Sequence, residues 1–355
     1  MDYLIYCFSA TGNTAHGVDI IAAELRSRGD QVSVIAIDRD TRHLDGFPDR
    51  LLIAFPTFSW VPPVLVQRFL RRLPRGKKPD GSRVRAAVFT ADGGDCLQAP
   101  EQARRMLRRR GYDVFLTGRA SYPDNWQQFI PGPDAETRTR LIATGEEMTR
   151  AFARKLLSEE ASRYRVASFH QLWSRVVGSL FAFFGRRFMG KMFIADKDCT
   201  ACGICVRACP VGAILLPAGK QARPFWKMNC ESCNRCINIC PEKAVVCSPA
   251  RIVVLITAIV GMVMGVLGLY NAYLKPLLFA AVPAMLSGIV NFLAAAALVI
   301  GVHFLVIGPL DRFGLRYLQR LPGLERIFTF GYNKRSRRYL MPGYRPPQSR
   351  SGRPV

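Results

Sequence analysis

The sequence predicts an α/β doubly wound parallel sheet, followed by a small cysteine-bound module and a two-helix transmembrane hairpin. Three observations carry that reading. Over residues 1–165, short apolar runs alternate with amphipathic stretches. Eight of the eleven cysteines fall between Cys199 and Cys240. Beyond residue 251 come two long stretches almost free of charge.

In the first region, Tyr3–Phe8, Gln31–Ile37, Leu51–Phe55, Val84–Thr90 and Val114–Thr117 read as strands. Ala15–Arg28, Val64–Arg72, Pro100–Arg110 and Ala135–Leu157 read as helices. Strand–helix alternation at this spacing argues for a parallel sheet with helices on both faces. Such sheets bind ligands beyond the carboxyl ends of their strands, so the loops after strands 1, 3 and 4 are the places to seek chemistry.

Residues 166–194 form a separate segment. Phe169, Leu172, Trp173, Val176, Val177, Leu180, Phe181 and Phe184 recur at helical spacing, with Arg175, Arg186, Arg187 and Lys191 among them. This amphipathic linker is too charged to span a bilayer; it fits a helix lying in the membrane interface or packed on the sheet.

Residues 195–250 carry the most specific pattern. Cys199, Cys202, Cys205 and Cys209 stand in C-x2-C-x2-C-x3-C spacing before Pro210. Cys230, Cys233, Cys236 and Cys240 repeat it before Pro241. Four thiolates per run favour iron–sulfur over a zinc ribbon, which takes its ligands as separated pairs. In two-cluster ferredoxins the last cysteine of each run ligates the other cluster. The expectation is therefore two [4Fe–4S] clusters in crossed ligation, one on Cys199, Cys202, Cys205 and Cys240, the other on Cys230, Cys233, Cys236 and Cys209. Thiols in such runs do not read as disulfides, and they point to a reducing compartment. Cys7, in a predicted strand, is expected in the core; Cys96 and Cys247 share no such spacing.

Ile252–Leu274 is 23 residues without a charge, and after Lys275 a second uncharged stretch runs from Pro276 to Leu310. About 20 apolar residues cross a bilayer core, which predicts spans near 252–274 and 282–307. Gly261 and Gly265 form a G-x3-G that would let the two helices approach closely. Residues 311–355 are a basic tail, with eleven Lys/Arg against Asp311 and Glu325. The net charge of +24 calls for an acidic partner. Arginine beside a span points to anionic lipid rather than nucleic acid. Positive flanks at Arg251, Arg312 and Arg316 put both termini and the soluble domains on the cytoplasmic side, in a multi-pass arrangement. No secretory signal opens the chain.

Three loops complete the reading. Phe8-Ser9-Ala10-Thr11-Gly12-Asn13-Thr14 joins strand 1 to helix 1 and offers hydroxyls and a helix N-terminus to a phosphate. Without a following lysine it is not a nucleoside-triphosphate loop. Thr57-Phe58-Ser59-Trp60-Val61 after strand 3 offers a stacking face to a planar ring. Ala91-Asp92-Gly93-Gly94-Asp95 after strand 4 lets backbone amides approach a ligand. Tyr122-Pro123-Asp124-Asn125-Trp126 caps the same crevice or is a plain turn.

These loops resemble those of flavodoxins, which bind FMN. Residues 1–248 as a whole resemble the ferredoxin family that carries an N-terminal flavodoxin-like domain and a C-terminal two-cluster ferredoxin module. The resemblance implies that Ser9, Thr11, Gly12, Asn13 and Thr14 contact the FMN phosphate. It also implies that Thr57, Phe58, Trp60, Asp92, Gly93 and Gly94 flank the isoalloxazine. The two spans and the basic tail depart from the family's soluble members. The expected function is membrane-anchored electron transfer between FMN, two [4Fe–4S] clusters and a further redox partner, either a protein or a quinone. No catalytic proton-transfer residue is required. A membrane-bound redox sensor or scaffold is the alternative, and a sheet domain that has lost its flavin and serves only for docking is the third.

Overall fold

The computed structural model describes residues 1–347 except 44, 45, 220, 221, 280–283, 320 and 322. Five parallel strands, β1 (Asp2–Cys7), β2 (Gln31–Ala36), β3 (Arg50–Pro56), β4 (Arg85–Asp92) and β5 (Asp113–Ser121), stand in the order β2-β1-β3-β4-β5. That is the flavodoxin-like doubly wound order, whose strand sequence reverses between β1 and β3. β3 and β4 are buried along almost their whole length, as parallel strands covered on both faces must be. β2, at the edge, is half exposed.

Side chains along β1 alternate between two cores. Tyr3, Ile5 and Cys7 pack with α1 (Asn13–Ser27) and α4 (Ala135–Leu157) through Val18, Ile21, Leu25, Phe152 and Leu156. Leu4, Tyr6 and Phe8 face α2 (Val64–Arg72) and α3 (Ala99–Arg109) through Val66, Phe69, Leu70, Ala103 and Leu107. Period-two strands between 3.6-period helices force this division. Each predicted strand and helix of this domain is present, with ends shifted by a few residues.

One long helical segment follows: α5 (Ser168–Leu180), a wider π turn (Phe181–Gly185) and α6 (Arg186–Met192). Its amphipathicity is turned outward. Ser174, Gly178, Arg186 and Gly190 are buried, whereas Phe169 is 75 % and Trp173 55 % exposed. Gly178 is required: a Cβ there would lie 2.3 Å from Val61.

The cysteine module is built from two short antiparallel pairs, β6 (Phe193–Ala195) with β9 (Val245–Cys247) and β7 (Ile214–Leu215) with β8 (Phe225–Trp226). Two single-turn helices, α7 (Ile204–Arg207) and α8 (Arg235–Ile239), lie between them. α9 (Pro249–Leu269) is capped by Ser248 Oγ, which accepts from Arg251 N. A π turn links it to α10 (Lys275–Phe279), and α11 (Ala284–Pro309) packs back against α9. Short α12 (Arg316–Leu318) and α13 (Leu324–Thr329) follow.

Among the described residues, one helix is long and apolar enough to cross a membrane, Pro249–Leu277. The expected second span, 282–307, falls on α11, whose described apolar part is Gly288–Leu298; residues 282 and 283 lie outside the described ones. Multi-pass insertion therefore rests on the sequence pattern. The expected close approach at Gly261 and Gly265 is not seen, because a Cβ at either would meet nothing within 4 Å among the described residues.

The basic tail divides in two. Its first part closes a buried ion cluster in which Asp311 accepts from Lys191 Nζ at 2.6 Å and from Arg251. This ties α6 to the start of α9 and the end of α11. Its second part, residues 331–344, does not stand free toward lipid. It runs as a strap over the soluble domains: Asn333 accepts from Cys247 N and donates to Gln127 O, and Arg337 donates to Gly132 O.

Candidate functional site

The two cysteine runs wind alike. Each cysteine of the second run lies 31 positions after its counterpart in the first, and the backbone repeats with them. Left-handed φ values recur at Ala201 and Ser232 (55° and 53°), at Gly203 and Asn234 (73° and 57°), and at Gly212 and Lys243 (57° and 49°). Such turns aim successive N–H groups inward, making an anion-binding concavity. Ala213 N donates to Cys209 Sγ at 3.1 Å, and Ala244 N to Cys240 Sγ at 3.3 Å, again the same positions in each run. Ser232 N donates to Cys230 Sγ at 3.3 Å.

Two cavities result. The first is lined by Cys199, Cys202, Cys205 and Cys240. The second is lined by Cys209, Cys230, Cys233 and Cys236, with Cys205 at the shared wall. Among the described residues, no group of three or more His, Cys, Asp or Glu closes on a single metal ion. The thiols surround a space instead of meeting at a point. Four thiolates around one space are the donor set that a cubane takes. Burial pushes the Cys205 thiol up to about 12 and Cys233 up to about 11, so metal binding here must release protons. The buried indole N–H of Trp226 lacks a partner within hydrogen-bond geometry but lies toward Cys236, where it favours the thiolate.

The remaining cysteines are core residues. Cys7 and Cys96 are buried, and burial pushes both thiols up to about 12; Cys247 is fully buried beside Asn333.

The module sits on the carboxyl edge of the sheet, at the reversal of strand order. Arg39 N donates to Pro210 O, and Val64 N, at the start of α2, donates to Glu231 Oε2. Arg235, between the second and third cysteines of the second run, donates to Ala10 O at 3.0 Å, to Ser9 O and to Ala208 O. Its guanidinium lies 5.9 Å from the Phe8 ring centre. One buried Arg thus holds the cysteine module to the loop after β1.

That loop, the expected phosphate seat, is covered. Gly12 has φ 111°, as the turn requires, but a Cβ there would lie 2.4 Å from Met341 and 2.7 Å from the Tyr344 ring. Met341 N donates to Thr11 O, Tyr344 OH to Ser9 O, and Tyr339 OH to Asn13 Oδ1. Thr11 Oγ1 accepts from Asn125 Nδ2, and Ser9 Oγ from Ala15 N. Only the buried Thr14 hydroxyl lacks a partner. Thr57, Phe58 and Trp60 are half-buried beyond β3, and Gly178 of α5 packs behind them; Ser59 and Trp60 both have positive φ. Asp92 is bound to Arg119 through both carboxylate oxygens, while Gly93 and Gly94 are exposed. The structure thus brings the three loops to one edge and lays residues 339–344 across the first. The sequence reading missed Arg235, Tyr339, Met341 and Tyr344. Arg235 carried one signal, its place inside a cysteine run.

Residues 198–246 match the family model of the 4Fe-4S dicluster domain. No curated protein matches the chain. Similar solved structures include a flavodoxin from the domain Archaea (18 % identity, TM-score 0.28, 43 % of this chain and 99 % of that one). Two-electron reduced Megasphaera elsdenii flavodoxin is similar at 20 % identity and TM-score 0.29, over 42 % of this chain and 98 % of that one. Oxidised flavodoxin 2 from Bacillus cereus gives 17 % and 0.30, over 44 % and 99 %. At these values the overlaps carry no argument. The strand order carries the fold assignment, and the family match carries the iron–sulfur assignment.

Proposed function

We propose that this chain is a membrane-attached electron-transfer protein whose redox core is two [4Fe–4S] clusters. One observation supports it above the others: each cavity is lined by the first three thiols of one run together with the last thiol of the other. In this reading Cys199, Cys202, Cys205 and Cys240 hold the first cluster, and Cys230, Cys233, Cys236 and Cys209 the second. Each cluster supplies a one-electron couple when bound. The chain's own contribution is to hold both sites in one folding unit, to donate N–H groups to the ligand sulfurs and to limit water, which together set the potentials. Anaerobic protein titrated with a low-potential reductant should take up about two electrons per chain, reversibly. Cluster loss on oxidation, without reversible uptake, would favour the sensor or scaffold instead.

Attachment to the membrane is supported by Pro249–Leu277, by the apolar outward face of α5 and by the basic residues around α12. The face carrying Phe169, Leu172, Trp173 and Val176 fits an interfacial helix. The partners that follow are lipid, a redox protein or a quinone, with the soluble domains on the cytoplasmic side.

FMN is assigned to a second arrangement of the chain. The loop after β1 keeps a helix N-terminus and the free Thr14 hydroxyl, both suited to a phosphate. Met341 and Tyr344 stand where the phosphate would lie, so FMN and the strap exclude one another there. Removing residues 339–355 should tighten FMN binding about tenfold or more, because a closed seat lowers the apparent affinity by the fraction that is open. Tyr344→Ala should act in the same direction. Quenching of flavin fluorescence reads the affinity; equal affinity in all three proteins would remove the strap's role, and no binding by any of them would leave the sheet as a docking domain.

A further inference from the structure

A third cavity holds no cysteine. It holds about 440 Å³, open on one side, between the β7–β8 hairpin and the end of α11. Its walls are largely apolar and aromatic: Phe225 and Trp226 from β8, Pro309 and Phe313 from the chain leaving α11. Lys227 and Arg312 are among the residues that line it, and both side chains carry hydrogen-bond donors. Arg316 also lines it, with its guanidinium 3.8 Å above the Phe225 ring.

Two placements limit what this cavity can do. Trp226 lines both this cavity and that of Cys209, Cys230, Cys233 and Cys236. A single buried indole, 3 % exposed, is therefore the partition between a cluster site and the cavity. On the opposite side the cavity reaches Gly308 and Pro309, the last turn of the apolar helix α11. A ligand here can keep a hydrophobic tail along that helix and place its head against Trp226.

The geometry points to a binding site for the headgroup of a membrane quinone, held between Phe225, Trp226 and Phe313 with Lys227 and Arg312 donating to its carbonyl oxygens. The inference rests on the electron-transfer reading and names the membrane-side partner within it. A flat aromatic slot suits a planar ring by offset stacking. Pockets that bind such ligands are concave, mostly apolar and furnished with a few placed polar groups. An anionic lipid phosphate is the other chemistry that a basic pocket at a membrane boundary takes. It is the less suited here, because the cation deepest in the cavity, Lys191, is already matched by Asp311 at 2.6 Å.

The test uses the full chain with its clusters, in nanodiscs, and an azido-quinone whose site of attachment is mapped by peptide mass spectrometry. Label is expected within residues 225–228 or 309–316, displaced by unlabelled quinone but not by anionic phospholipid. Phe313→Trp, which overfills the slot from an exposed position, should weaken quinone binding about tenfold with iron content unchanged. Arg312→Ala is the second variant and should weaken it without altering the slot's shape. Label elsewhere, label displaced by anionic lipid, or affinity unchanged in both variants would overturn the site. Protein without iron would instead overturn the electron-transfer reading, so the two failures are told apart.

Discussion

Cys209→Ala should cost the protein the cluster of the other run, not of its own. Cys209 follows Cys199, Cys202 and Cys205 in sequence, yet it lines the cavity of Cys230, Cys233 and Cys236. Iron should fall from about eight to about four atoms per chain, and Cys240→Ala should remove the complementary four. Pairs of substitutions decide the connectivity. Cys209→Ala with Cys233→Ala strikes one cluster twice and should lose little more iron than either alone. Cys209→Ala with Cys202→Ala strikes both and should leave almost none. Sites that share a partner are non-additive, and independent ones add. If each run closed on itself, the two double variants would exchange their outcomes. Iron content and the absorbance of the remaining cluster measure this.

The second large effect is structural. Asp311 is 3 % exposed and answers two buried cations, Lys191 from α6 and Arg251 from α9. Asp311→Ala should destabilise the fold by about 3–5 kcal/mol, because removing one member of a buried ionic group leaves uncompensated charge. The midpoint of chemical denaturation, followed by helical circular dichroism in detergent, reads it. Replacing all three with apolar residues of similar volume should recover much of the loss. The effect has a pH signature. Burial already draws Lys191 below its ordinary 10.5, with Asp311 as its main support. Without Asp311 the ammonium is held still less readily than in the unfolded chain. The penalty is then full below the lowered folded-state pKa and shrinks as pH rises from there toward 10.5, by which the lysine of the unfolded chain has also shed its proton.

The sheet was legible because two periodicities suffice to state it. Tyr3, Ile5 and Cys7 alternate with Leu4, Tyr6 and Phe8, and each helix places its apolar stripe against one set. The cysteine pattern was legible because spacing constrains a loop that must wrap a cluster. The strap was not. Tyr339, Met341 and Tyr344 belong to a tail whose dominant feature is charge, and their partners at Asn13, Thr11 and Ser9 lie more than 320 positions away. No local pattern encodes a contact at that range. Arg235 was hidden for another reason. Its neighbours are the proposed ligands, and nothing in Cys233-Asn234-Arg235-Cys236 separates an arginine that would tune a cluster from one that reaches two carbonyls of another domain. The outward face of α5 was visible as amphipathicity, but the direction it faces depends on Gly178 fitting against Val61.

The central claim is that eight cysteines hold two cubanes. Iron and acid-labile sulfide in anaerobically prepared full-length protein, counted per chain and typed by Mössbauer spectroscopy, test it most directly. The account predicts about eight iron and eight sulfide, all in [4Fe–4S] form. One or two zinc per chain with no sulfide would contradict it.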